Sequence, residues 1–184
     1  MQDMVSVLHA AHTAAQWHAT QKRKGAAGEP YINHLLEVAA MVAEATGGKD
    51  PALVIAALLH DAIEDQKIPR ETIAEKFGEN VASLVAEVTD DKSLPKPERK
   101  RLQIVNAPKM SARAKLLKLA DKTSNLNSLA NSPPSHWPAQ RRAEYVVWSK
   151  QVVAALGDGI EPVLMEKFTR AVGRAEQAAR HIQA

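Results

Sequence analysis

The sequence predicts an all-α fold of some eight to ten helices, and three observations carry that reading. Apolar residues recur at three- and four-residue spacing through most of the chain. No stretch alternates apolar with polar residues as a half-buried strand would. Helix-start and helix-stop residues punctuate the periodic segments: Asp50–Pro51 and Ser111 precede two of them, and Gly47–Gly48 closes a third. With 184 residues, 45% hydrophobic, and no repeat, low-complexity tract or linker, a single domain over residues 1–184 is expected.

Composition narrows the functional classes. Lys plus Arg is 24 against 21 Asp plus Glu, for a net charge of +3. That bias suits an anionic small ligand but falls short of a nucleic-acid-binding stripe, because the basic residues are split between separate segments. Cysteine is absent, which excludes disulfides and thiolate metal sites. No apolar run approaches the ~18 residues that a membrane span needs, and MQDMVSVLHAAH carries Asp3 in place of a basic n-region. Neither a signal peptide nor a membrane span is expected, and the cytoplasm is the default location.

The elements follow in order. Val5, Leu8, Ala11 and Ala15 predict an amphipathic helix from about Asp3 to Thr20. His9, His12 and His18 within it lack acidic partners, lie at several angles and read as surface or core-edge residues. KRKGAAGEPYIN breaks regular structure at Gly25, Gly28 and Pro30 and concentrates Lys22, Arg23 and Lys24. Such a loop can grip phosphate; lacking the GKT or GKS of a Walker loop, it reads on its own more often as an ordinary solvated loop. Asn33 is placed to cap a second helix through Thr46, with His34 in its first turn.

The segment from Ala52 to Asp65, ALVIAALLHDAIED, is the organising one. Eight apolar residues predict a helix buried all round, which then delivers His60, Asp61, Glu64 and Asp65. On one continuous helix these would lie at ~0°, ~100°, ~40° and ~140°, a single polar face. Buried carboxylates are tolerated when paired or bound to metal, and an adjacent His and Asp can ligate one ion. Helices at 70–77 and 79–89 meet at Gly78, and TDDKSLPKPERKR reads as a proline-broken connection carrying Lys92, Lys96, Arg99, Lys100 and Arg101. Ser111 caps a long helix on which Asp121, Asn125 and Ser128 form a second polar line within ~60°. A helix after Pro138 and a last one over roughly 161–181 complete the chain.

RKGAAGEPYINH, AALLHDAIED, EVTDDKSLPKPERKR and KLADKTSNL together resemble the HD phosphohydrolase superfamily, a helical fold. More closely they resemble its Mesh-type single-domain alarmone hydrolases, related to the hydrolase half of RelA/SpoT enzymes. The resemblance covers residues 3 to 160. It implies removal of the 3′-pyrophosphate from ppGpp or pppGpp, giving GDP or GTP plus pyrophosphate, with one Mn²⁺ per chain. It also implies His34, His60, Asp61 and Asp121 as metal ligands and Glu64 with Asp65 as the catalytic carboxylates. Arg23, Lys24, Lys96, Asn125, Ser128, Arg141 and Tyr145 match nucleotide contacts. The alternative is another nucleotide phosphohydrolase, such as an NADPH phosphatase. Leu35, Thr123, Ser124 and Asn127 depart from the usual pattern; the expectation is that Leu35 alters local rigidity, that the other three alter base selectivity and affinity, and that the metal set is untouched.

Overall fold

Asp50 and Pro51 start a helix in which every residue from Leu53 to Leu59 is buried. A computed structural model describes residues 2–180, and this helix is its centre. The described residues form ten α-helices: α1 (Gln2–Trp17), α2 (Ile32–Ala45), α3 (Pro51–Leu59), α4 (Ala62–Gln66), α5 (Arg70–Phe77), α6 (Glu79–Val88), α7 (Lys96–Asn106), α8 (Ala112–Asn131), α9 (Ala139–Ala155) and α10 (Pro162–Arg180). A 3₁₀ turn at Ala107–Lys109 links α7 to α8, and among the described residues extended pairing is confined to Lys22 opposite Pro30. The all-α expectation and its helix count stand; residue 181, the expected end of the last helix, lies outside the described residues. No described helix is long and apolar enough to cross a membrane.

At nine residues α3 is too short to persist alone. It is held by packing against α1, α2, α6 and α8, where burying each Leu side chain contributes ~1.5–3 kcal/mol. Asp50 caps it by accepting from the Leu53 N–H at 3.0 Å. Ser111 caps α8 in the same way. The amphipathic α10 lays Leu164, Phe168, Ala171 and Ala175 onto the core and packs chiefly on α8.

Four local expectations are corrected. The inward stripe of α1 is Ala10 and Ala14 flanked by Val7 and Ala11, while Val5 and Leu8 are exposed; the face that packs on α3 is rotated from the stripe read from spacing and shares Ala11 with it. Helix α2 begins at Ile32 with Tyr31 at its start, so Asn33 is inside the first turn and caps nothing. KPERKR is the first half of α7: Pro97 falls in the first turn, where a proline costs no hydrogen bond, so the segment continues as helix. Lastly, the helix through Ala52–Asp65 breaks at His60–Asp61. His60 Nδ1 lies 2.7 Å from the Ala57 carbonyl, the acceptor to which an unbroken helix would direct the Asp61 N–H, and Asp61 takes φ −98°, ψ 0°.

Candidate metal centre and its cleft

The break divides the four polar side chains between two tasks. His60 and Asp61 face inward, where they meet His34 from the first turn of α2 and Asp121 from the middle of α8. His60 Nε2 lies 3.2 Å from Asp61 Oδ2 and 3.8 Å from Asp121 Oδ1. His34 Nε2 lies 3.6 Å and 3.4 Å from the same two oxygens. Donor atoms of His34, His60 and Asp121 all fall within 4.8 Å of one another, and Asp61 closes the group on the side of the two imidazoles.

Both Nε2 atoms are buried without a well-formed hydrogen bond, a costly condition unless something binds there. The ring orientations are fixed from behind. His60 Nδ1 donates to the Ala57 carbonyl, which turns Nε2 inward and leaves the lone pair of the neutral ring there. His34 Nδ1 sits 2.8 Å from Ser124 Oγ. Tyr31 Oη donates to Asp61 Oδ2 at 2.7 Å, and Asn125 Nδ2 donates to Asp121 Oδ1 at 2.6 Å. The buried Lys122 ammonium adds a contact of 3.2 Å to Asp121 Oδ2 and lies over the Trp148 ring.

The electrostatics ask for positive charge. Burial works against ionising Asp61, yet His60 beside it holds its carboxyl well below the usual range. Burial likewise opposes the Asp121 charge, and Lys122 together with His34 and His60 outweighs it. His60 is pushed up to about 10: burial acts downward, and Asp61 with Asp121 acts upward more strongly. Two buried imidazoles and two carboxylates thus compete for protons where a divalent cation would satisfy the same donors, and the set is a mixed nitrogen–oxygen one.

Joined to this floor through Tyr31 and Asn125, which bond Asp61 and Asp121 and also form part of its lining, opens a cleft of about 970 Å³. Glu64 and Asp65 stand at its edge, and Arg23, Lys24, Lys96, Asn125, Ser128, Arg141 and Tyr145 all line its walls. The structure therefore brings every sequence-predicted residue to one place, with the four inner groups below and the other nine around the cleft. The basic loop is tied down at its tip: Ala27 N–H donates to Ser132 Oγ at 2.9 Å, and a Cβ on Gly25 would fall 2.3 Å from the Ser132 carbonyl. Arg23 spans from the Tyr31 ring to Asn125 Oδ1, 3.1 Å away. Glu64 accepts from the Asp90 N–H at 3.3 Å and has Lys92 and Arg99 within 3.8 Å. Asp65 accepts from Gln21 Nε2 at 2.7 Å and pairs with Lys92.

Sequence reasoning missed Tyr31, Gln21, Trp137 and Trp148. Trp137 carries Arg141 at 4.4 Å over its ring, and Trp148 carries Lys100 and Lys122 at 4.5 Å each. Aromatic residues make up only 4% of the chain, so two tryptophans near the basic residues of the second half were the available signal. His18, read as a surface or core-edge residue, is buried, stacks on Tyr31 and bonds to Gln21 at 2.6 Å.

An all-helical fold that joins a His–Asp doublet to an earlier His and a later Asp defines an HD-domain protein, and the HD domain family model matches residues 10–154. The chain belongs to that family. Within it the chain groups with the MESH1 proteins. It is 48% identical over 154 residues to guanosine-3′,5′-bis(diphosphate) 3′-pyrophosphohydrolase MESH1 of Xenopus tropicalis, covering 84% of this chain and 86% of that one. The Homo sapiens protein of the same name is 46% identical with the same coverage. A solved structure described as a metazoan ortholog of SpoT that hydrolyzes ppGpp and plays a role in starvation responses superposes with a TM-score of 0.87. It shares 43% identity over 92% of this chain and 94% of its own.

Proposed function

We propose that this protein hydrolyses guanosine 3′,5′-bis(diphosphate) compounds at the 3′-pyrophosphate, releasing GDP or GTP and pyrophosphate, with a single Mn²⁺ held by His34, His60, Asp61 and Asp121. The observation that carries the reading is the pairing of a cation-demanding floor with a cleft walled by cations and aromatic rings. The names of the MESH1 relatives supply the substrate class.

A divalent ion at the floor supplies Lewis acidity, easing loss of a proton from nearby water and offsetting phosphate charge. The remaining roles fall to side chains. Glu64, beside the floor, accepts the proton of the attacking water, and Asp65 shares in orienting it. The water oxygen bonds to the 3′-phosphorus as the bond to the ribose 3′-oxygen breaks, and that oxygen takes a proton from solvent, to which Glu64 returns the one it accepted. Lys24, Lys96, Arg141 and Tyr145 hold the phosphate chains, while Arg23, Asn125 and Ser128 hold the nucleoside, Arg by stacking as well as charge. The ligand is a small nucleotide, with no nucleic acid or membrane involved, and the reaction belongs to the cytoplasm as part of a stringent-type response.

Chelation followed by add-back tests this. Hydrolysis of ppGpp is expected to stop on removal of divalent metal and to return with Mn²⁺, yielding GDP and pyrophosphate. Trimming at the 5′ end, full activity after rigorous metal removal, or turnover of NADPH in preference to ppGpp would overturn it.

A further inference from the structure

Behind His34 a chain of polar side chains leads away from the cleft. Ser124, fully buried on α8, approaches His34 Nδ1 at 2.8 Å and donates to Glu37 Oε2 at 2.6 Å. The other Glu37 oxygen accepts from Asn127 Nδ2 at 2.7 Å, and Asn127 Oδ1 in turn accepts from Arg174 of α10 at 2.7 Å. Three helices, α2, α8 and α10, thus contribute to one line of hydrogen bonds ending on one imidazole.

The directions of these bonds follow from the donor inventory. A carboxylate only accepts, so Glu37 takes the single hydroxyl proton of Ser124. The hydroxyl then offers His34 lone pairs alone, and the bond at 2.8 Å requires a proton on Nδ1. An imidazole carrying its proton there presents a lone pair at Nε2, the atom 3.4 Å from Asp121 Oδ1 and 3.6 Å from Asp61 Oδ2. We infer that Glu37, acting through Ser124, is a positioning residue that fixes the His34 ring and tautomer for metal binding. Asn127 and Arg174 hold Glu37 in place. His60 obtains the same orientation from a main-chain carbonyl, which no side-chain substitution removes; His34 depends on side chains. A carboxylate behind a ligating imidazole also strengthens it as a donor.

This inference rests on the metal-site reading proposed above, and its test separates the two. Mn²⁺ affinity is measured without nucleotide for the wild type, Ser124→Ala, Glu37→Ala and the double variant, with the metal-free melting temperature of each as a folding control. Ser124→Ala is expected to weaken Mn²⁺ binding by ~10–100-fold. Glu37→Ala is expected to weaken it in the same direction with a near-parental metal-free melting temperature. The double variant is expected to bind no more weakly than Ser124→Ala, because the effect of Glu37 passes through the hydroxyl. Glu37 is only half-buried, so its variant alone decides the matter should Ser124→Ala fold poorly. Wild-type affinity in Glu37→Ala, or an equal Glu37 effect with and without the Ser124 hydroxyl, would overturn the relay while leaving the metal site intact. Absence of Mn²⁺ binding by the wild type would overturn both.

Discussion

Glu64 carries its charge against its surroundings. Burial raises its pKa, Asp61 and Asp90 raise it further, and Lys92 pulls it back. A proton acceptor must be ionised, so activity should fall as pH drops through a value above that of an ordinary glutamate. Lys92→Met removes the opposing cation and should move that acid limb to still higher pH in a kcat–pH profile; an unmoved limb would assign the limb to another group. Glu64→Gln should keep metal content and melting temperature while losing ~10²–10⁴ in turnover, since the amide fills the space but takes no proton. At this scale the sequence revealed residue types and withheld partners. Ser124 was read as a change in base selectivity that spares the metal set, whereas its hydroxyl lies on His34, 90 positions away in the chain. No spacing rule reaches across that separation.

Elements whose boundaries depend on short-range chemistry were legible. Asp50 accepts from the Leu53 N–H and also receives two bonds of 2.7 Å from Arg113 of α8, so one side chain both starts α3 and ties it to α8. Asp50→Ala should destabilise the fold by ~0.5–2 kcal/mol, the usual cost of losing such a cap, read as a lower denaturant midpoint at unchanged slope. A variant as stable as the parent would show that packing alone sets the start of α3. Elements whose boundaries depend on tertiary partners were not legible. The break after Leu59 is tied to the grip of His60 on the Ala57 carbonyl and sets Asp61 against His34. The polar segment from Lys96 became helix although it carries no buried residue, and that turns Lys96 and Lys100 together over the tryptophan rings.

Across the whole molecule, helix content and chain order were readable because buried stripes repeat locally. The neighbour relations, above all α10 on α8, were not. The inner cluster unites α2, the α3–α4 junction and α8, so only the folded chain presents it to an ion. Mass action then stabilises the fold: at Mn²⁺ a hundredfold above its dissociation constant the gain is ~2.7 kcal/mol, or about 5–10 °C in melting temperature for a chain of this size. His60→Ala and Asp121→Ala should abolish that rise in a thermal scan. A rise that persists in both would place the ion elsewhere.

The cleft also contains its own reporters. Of three tryptophans in the chain, Trp137 and Trp148 line its wall, each beneath two cationic groups. A polyphosphate arriving there draws Lys96, Lys100 and Arg141 toward itself and changes the field at both indoles at once. Intrinsic emission excited near 295 nm therefore registers occupancy of the cleft without a label and without turnover, and Trp17 on α1, outside the cleft wall, supplies a steady background.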